Sequence, residues 1–326
     1  MAKGNKKRIQ RTIQYWRLVS AGSGNAVDEQ NWYAFIKQIY GDPITHRVLE
    51  KEITGKVFAM QPDAVADVLV KELLGENFPG SYDGAVYALV LSTDKDHVPS
   101  QRHRTSGDQK PMSTDDEHVP VDNTFVWFLP VGNLVAVLQE NQSAIRAQYI
   151  CGWLDRTMRD EDLLPQHNFH WDASPVIDAS TRNALSSARG LRSATLGVSV
   201  PAGDTSGLRT LLGGNANYEG EFELEIKIRH IKKRNPSHHD QDTKKTLEWF
   251  GETFGQHVDS LRKASVVLEG PGRRPGEIDM LRHRMTRKTQ VQIEDQGLSI
   301  NSSSALGAIM KGFVADAKPL LELRKP

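Results

Sequence analysis

Glu223, Glu225 and Lys227 recur at every second position of the stretch Glu221 to Arg229, with Phe222, Leu224, Ile226 and Ile228 in the alternate places. That period belongs to a half-buried strand, so the two glutamates and the lysine share its polar face. With Asp204 upstream, the set matches how metal-dependent nucleases hold Mg²⁺: hard carboxylate oxygens suit the ion, and a lysine stabilises charge developing on a phosphate. The bland account is that any strand with one buried face shows charged residues on the other.

Two further clusters offer the imidazoles and carboxylates that Zn²⁺ accepts, His167 with His170 and Asp172, and His238 with His239 and Asp240. In an extended segment His170 and Asp172 share a face but His167 does not, and the second cluster lies in a polar run where histidine is ordinary. Neither spacing defines a metal site. The one cysteine, Cys151, stands close to Trp153 and Leu154. It reads as a small buried hydrophobe in a reducing, cytoplasmic compartment rather than as a nucleophile.

Basic residues give the strongest pattern. Lys227, Arg229, Lys232, Lys233 and Arg234 fall within eight positions, and Arg273, Arg274, Arg282, Arg284, Arg287 and Lys288 follow beyond a helical stretch. If Glu221 to Lys233 and Arg284 to Ile293 are neighbouring strands, these cations converge on one surface, with Lys6, Lys7 and Arg8 close by. Such a surface neutralises phosphates without reading bases. The competing account is a strand edge protected by lysine and arginine against aggregation. No phosphate-binding glycine loop, dinucleotide fingerprint, helical zinc-protease pair, nucleophile elbow or paired Cys-x-x-C occurs, so the commonest enzyme classes lose their support. No cofactor is expected.

The elements that must position these residues read as an α+β fold, with mixed or antiparallel sheets flanked by helices in two lobes, 1–164 and 165–326. Thr12 to Ala21 is a first strand, and Asp28 caps a helix through Trp32, Phe35, Ile36 and Ile39. Val48 to Met60 is a hairpin broken at Gly55, and Pro62 opens a helix that stops at Gly75. Ala85 to Leu91, Phe125 to Leu129 and Leu134 to Leu138 are continuously apolar and belong in a buried sheet. Between the first two lies a polar insertion, 93–122, of a length that compact domains reserve for functional or mobile loops. Gln142 to Met158 is an amphipathic helix. In the second lobe, Phe169 to Ile177, Ala194 to Val200 and Glu221 to Arg229 read as strands. Thr181 to Ala188, Thr243 to Phe254 and His257 to Leu268 read as helices, Arg284 to Ile293 as a strand paired with Leu298 to Ile300, and Ala305 to Leu323 as the last helix.

The chain has 326 residues, with 41 basic and 41 acidic side chains, so no whole-molecule field draws in a polyanion and binding must come from local patches. No apolar run reaches the ~18 residues of a membrane span, and the basic N-terminal residues precede no secretory apolar core.

The order Tyr87 to Ser92, Val98 to Arg102, Phe125 to Leu129, Val135 to Leu138 and Ile145 to Leu154 resembles uncharacterised bacterial proteins found among anti-phage defence genes. The β-rich C-terminal half ending in one helix is similar to the DNA-binding partner protein of the Kiwa defence system. The resemblance is one of layout over about two thirds of the chain, and no functional residue transfers from it. It implies a defence role through nucleic-acid binding, DNA ahead of RNA, or through sensing a phage product, together with a second defence protein or another copy of this chain. Three functions compete at this point: a binding or sensing component with no catalysis of its own, a Mg²⁺-dependent nuclease using Asp204, Glu225 and Lys227, and an oligomeric scaffold.

Overall fold

Strand β1 (Arg8–Ser20) buries Ile13 and Tyr15 on one face and Trp16 and Leu18 on the other, so both its faces require cover. The computed structural model describes residues 7–21, 27–95, 100–102, 109–111, 118–141, 143–160, 170–200, 222–229, 242–251, 261–269, 277–294 and 299–323. After β1 come α1 (Trp32–Gln38), β2 (Ile44–Val48), β3 (Lys51–Met60), α2 (Ala64–Asn77) and β4 (Val86–Asp94). Next are β5 (Ser100–Arg102), β6 (Gln109–Pro111), β7 (Val121–Phe128), β8 (Leu134–Gln139), α3 (Ala147–Asp160) and β9 (Trp171–Pro175). The remainder is α4 (Ala179–Ser186), β10 (Gly190–Val200), β11 (Phe222–Arg229), helix α5 (242–251), β12 (Leu261–Glu269), β13 (Glu277–Asp279), β14 (Thr286–Gln292) and α6 (Ser302–Glu322). The fold is α+β with antiparallel sheets, and the chain divides into two units, Met1–Ser174 with Thr286–Pro326, and Pro175–Met285.

In the first unit the sheet runs β14-β1-β8-β7-β4-β3-β2, every one of those pairs antiparallel, with β9 also pairing β1. Trp127 and Phe128 are consecutive on β7 and so point to opposite faces. Phe313 of α6 meets the Trp127 ring edge-on at 5.2 Å, whereas Trp32 of α1 meets Phe128 at 5.1 Å. Gly55, Leu91 and Thr124 lie in one cross-strand row on the Phe128 face, and there Trp153 of α3 closes over Gly55. Helices therefore cover both sides of the sheet, which is why β7 and β8 could be apolar throughout; Phe125 to Leu129 and Leu134 to Leu138 are all buried.

Several expectations need correction. Asn31, not Asp28, caps α1, its side chain accepting from the Ala34 amide at 3.0 Å. The hairpin turns at Leu49 and Glu50, and Gly55 lies inside β3, where it makes room for Trp153. Residues 261–269, expected as part of a helix, form β12, because pairing with β10 overrides the local spacing of Leu261, Ala264 and Leu268. The 93–122 insertion continues the β4–β7 ladder as far as Asp94 and Val121 and contains the paired strands β5 and β6. The lobe boundary at 164 lies outside the described residues, and 286–326 group with the N-terminal unit because β14 pairs β1.

In the second unit the sheet order is β11-β10-β12-β13. Its first and last described segments lie side by side: Met285 donates its amide to Val176, Ile177 bridges Arg284, and Asp178 donates to the His283 carbonyl. The Asp178 carboxylate caps α4 and meets the His283 ring at 2.8 Å. Among the described residues no helix is long and apolar enough to cross a membrane.

Candidate nucleic-acid interface

Strand register decides which charges meet. In the second unit Arg229, Ser193 and Val267 lie in one cross-strand row, Lys227, Thr195 and Ser265 in the next, and Glu225, Gly197 and Lys263 in the third. The opposite face holds Ile226, Leu196 and Ala264, then Ile228, Ala194 and Val266, so the expected polar and apolar faces of β11 are both present. Because Gly197 has no side chain, Lys263 reaches across it to Glu225, with Nζ to Oε2 at 3.0 Å. Lys227 and Arg229 of β11 are both exposed and have no side-chain partner among the described residues.

The sheet end where β10 begins and β11 finishes gathers more. Gly190, the first residue of β10, lies so close to Thr243 of α5 that a Cβ there would fall 2.3 Å from its Oγ1. Thr243 and Phe250 are buried, so the helix's other face, with Lys244 and Lys245, turns outward. Arg189 precedes Gly190, and Arg192 sits where the β10–β12 register shifts, which frees its side chain from the ladder. Arg189, Arg192, Arg229, Lys244 and Lys245 are all exposed, and none has a side-chain partner among the described residues. Asp242, Glu248 and Glu269 are carboxylates at or near this end.

The sequence-derived set is dispersed. β11 pairs β10 and β14 pairs β1, so the two basic strands do not pair and belong to different sheets. Arg287 is engaged: its guanidinium forms a two-pronged pair with Asp316 of α6, Nε to Oδ2 at 2.7 Å, and the buried Tyr15 hydroxyl donates to the same carboxylate at 2.9 Å. Burial and then the Asp316 charge push the Tyr15 phenol far above its ordinary value. Lys288 is exposed on β14; Arg282 pairs with Asp279 at 3.1 Å, and the Arg284 Nε donates to the Leu281 carbonyl at 3.4 Å. Lys6, Lys232, Lys233, Arg234, Arg273 and Arg274 lie outside the described residues.

The metal readings fare no better. Asp204 lies outside the described residues, Glu225 is held by Lys263, and among the described residues no three His, Cys, Asp or Glu side chains converge as a metal site. His170 pairs with Asp155 at 3.3 Å, while the Asp172 carboxylate accepts from the Ala173 amide; His167, His238, His239 and Asp240 are outside the described residues. Burial, with Asp172 and Asp155 nearby, pushes the Cys151 thiol well up, so it stays protonated and inert.

A second polar cluster, in the first unit, is self-satisfied. Asp83 accepts from Tyr33 at 2.6 Å, Tyr87 at 2.9 Å and the Ala85 amide at 3.1 Å, and pairs with Lys37 at 2.7 Å. Burial opposes its charge, but these donors hold it far below the usual carboxylate range.

The sequence signal missed Arg189, Arg192, Lys244 and Lys245 because they are scattered in the chain. No protein-family model matches the chain, and no curated protein matches it significantly.

Proposed function

We propose that this protein binds nucleic acid through the basic end of its second unit and acts as a binding or sensing component of bacterial anti-phage defence. The observation behind the binding is the convergence of Arg189, Arg192, Arg229, Lys244 and Lys245, exposed and without side-chain partners among the described residues, with Lys227 one row further along β11. Cations that no carboxylate neutralises are the ones free to displace counterions from phosphate. Among the described residues no helix at this end carries a row of base-reading side chains, which favours recognition of backbone rather than sequence. The defence assignment rests on the resemblance in chain layout.

A salt titration of binding to labelled duplex DNA, single-stranded DNA and RNA tests the reading. Each neutralised phosphate contributes about 0.9 to the log–log slope on a duplex, so five cations give a slope of about 4.5. Reversing Arg189, Arg192, Arg229 and Lys245 to glutamate abolishes binding while the thermal unfolding midpoint stays put, because exposed charges contribute little to stability. Absence of binding by the wild-type chain at low salt refutes the proposal. Loss of phage resistance in a bacterial host carrying the same variant checks the defence role.

A further inference from the structure

Helix α5 carries a second feature beside its lysines. Trp249 is 37% exposed, the one tryptophan among the exposed large hydrophobic residues, while its neighbour Phe250 is 2% exposed and anchors the helix. Lys245 and Trp249 are four residues apart and so adjoin on the helix surface, and Lys244 and Lys245 lie within the first turn, at the end that touches Gly190. A partly exposed indole, next to cations without side-chain partners among the described residues, presents a π-face and a phosphate contact together.

From this we infer that the ligand of the basic end is single-stranded nucleic acid, with one unstacked base lying on the Trp249 ring and the adjoining backbone on Lys245. The inference rests on the nucleic-acid reading above and narrows it. A duplex presents its phosphates but keeps its bases stacked inside, so it uses the cations and leaves the indole idle; a single strand uses both. Stacking of this kind tolerates every base, because each has a π-face, and so fits recognition of backbone rather than sequence.

The test compares a 20-nucleotide thymidine oligomer with a 20-base-pair duplex by fluorescence anisotropy, using the full-length protein. Trp249→Ala weakens binding of the single strand roughly tenfold or more and leaves duplex binding within about twofold, the effect expected of one lost base–aromatic stack. Trp249→Phe retains most of the single-strand affinity. Lys245→Gln weakens both ligands and lowers the single-strand salt slope by about 0.7. Unchanged circular dichroism and unfolding midpoint show that Phe250 still anchors the helix. If Trp249→Ala leaves single-strand affinity intact, or lowers both affinities equally, the stacking assignment is overturned while the nucleic-acid reading stands. If the wild-type chain binds neither oligonucleotide at low salt, the nucleic-acid reading itself is lost.

Discussion

Arg287 separates a structural charge from a binding one, and its removal makes the distinction measurable. Its guanidinium grips both oxygens of Asp316, whose side chain is only 14% exposed, and the same carboxylate accepts from the buried Tyr15 hydroxyl. Gly312, one turn earlier on α6, leaves the space through which Ile13, Tyr15 and Arg287 approach the helix. Arg287→Ala takes away two charge-assisted hydrogen bonds and strands a half-satisfied carboxylate. Breaking a well-buried pair costs ~3–5 kcal/mol. The arginine side chain is 38% exposed, so solvent screening brings the expected loss down to about 2 kcal/mol. Asp316→Ala costs at least as much, since it orphans both Arg287 and the Tyr15 hydroxyl. Arg287→Lys keeps the charge but not the fork and costs about 1 kcal/mol. Urea denaturation of the single and double variants gives a coupling free energy of about 1–2 kcal/mol if the pair is the cause. Oligonucleotide affinity stays within twofold of wild type. An Arg287→Ala chain that is as stable as wild type and binds tenfold more weakly refutes the reasoning and returns Arg287 to the interface.

Gly55→Ala places a methyl group 2.3 Å from Cζ2 of Trp153 and forces the fully buried ring to move, which costs about 1–3 kcal/mol as overpacking; thermal unfolding and near-ultraviolet dichroism report it, and an unshifted midpoint contradicts the close approach. Asp178 gives a pH signature: burial alone would raise its carboxyl, but hydrogen bonds from Ser180, the Thr181 amide and hydroxyl and His283 lower it to about 2. A folded value below the unfolded one, ~3.9, means that its stabilisation is complete above pH ~4 and vanishes as pH falls through about 2. Asp178→Asn keeps a good helix cap and removes the charge, so it flattens stability against pH in that window; an unchanged profile in acid unfolding rejects this assignment.

The parts of the fold that the sequence made legible are those where local pattern and burial agree. Phe125 to Leu129 and Leu134 to Leu138 are apolar on both faces and could only be central strands; α6 was visible from its apolar stripe, although Pro319 lies inside it. Illegible were the features set by partners remote in sequence. Leu261, Ala264 and Leu268 suit one face of a helix, and only pairing with β10, some seventy positions earlier, makes them a strand. Tyr15 and Asp316 are 301 residues apart, and nothing local marks either as half of a clamp. The basic clusters illustrate the same limit. Proximity in the chain joined Lys227 and Arg229 to Arg284, Arg287 and Lys288, whereas register joins Arg229 to Ser193 and its flanking Arg192, and a helix contact at Gly190 adds Lys244 and Lys245.

What separates the charges proposed to bind phosphate from the structural ones is therefore partnership rather than composition. Lys263 answers Glu225, Arg282 answers Asp279 and Arg287 answers Asp316, so each of these cations has a carboxylate at short range. The five where β10 begins, Arg189, Arg192, Arg229, Lys244 and Lys245, have no such partner among the described residues. In a chain with equal numbers of acidic and basic residues, a group of unanswered cations produces no long-range attraction, because the rest of the molecule cancels it at a distance. Its field survives only within about one Debye length, ~8 Å at physiological ionic strength. On the proposed function, a polyanion accordingly reaches this surface by ordinary diffusion and is held there by contact. Association is then only modestly faster at low salt, and most of the salt dependence of affinity resides in dissociation.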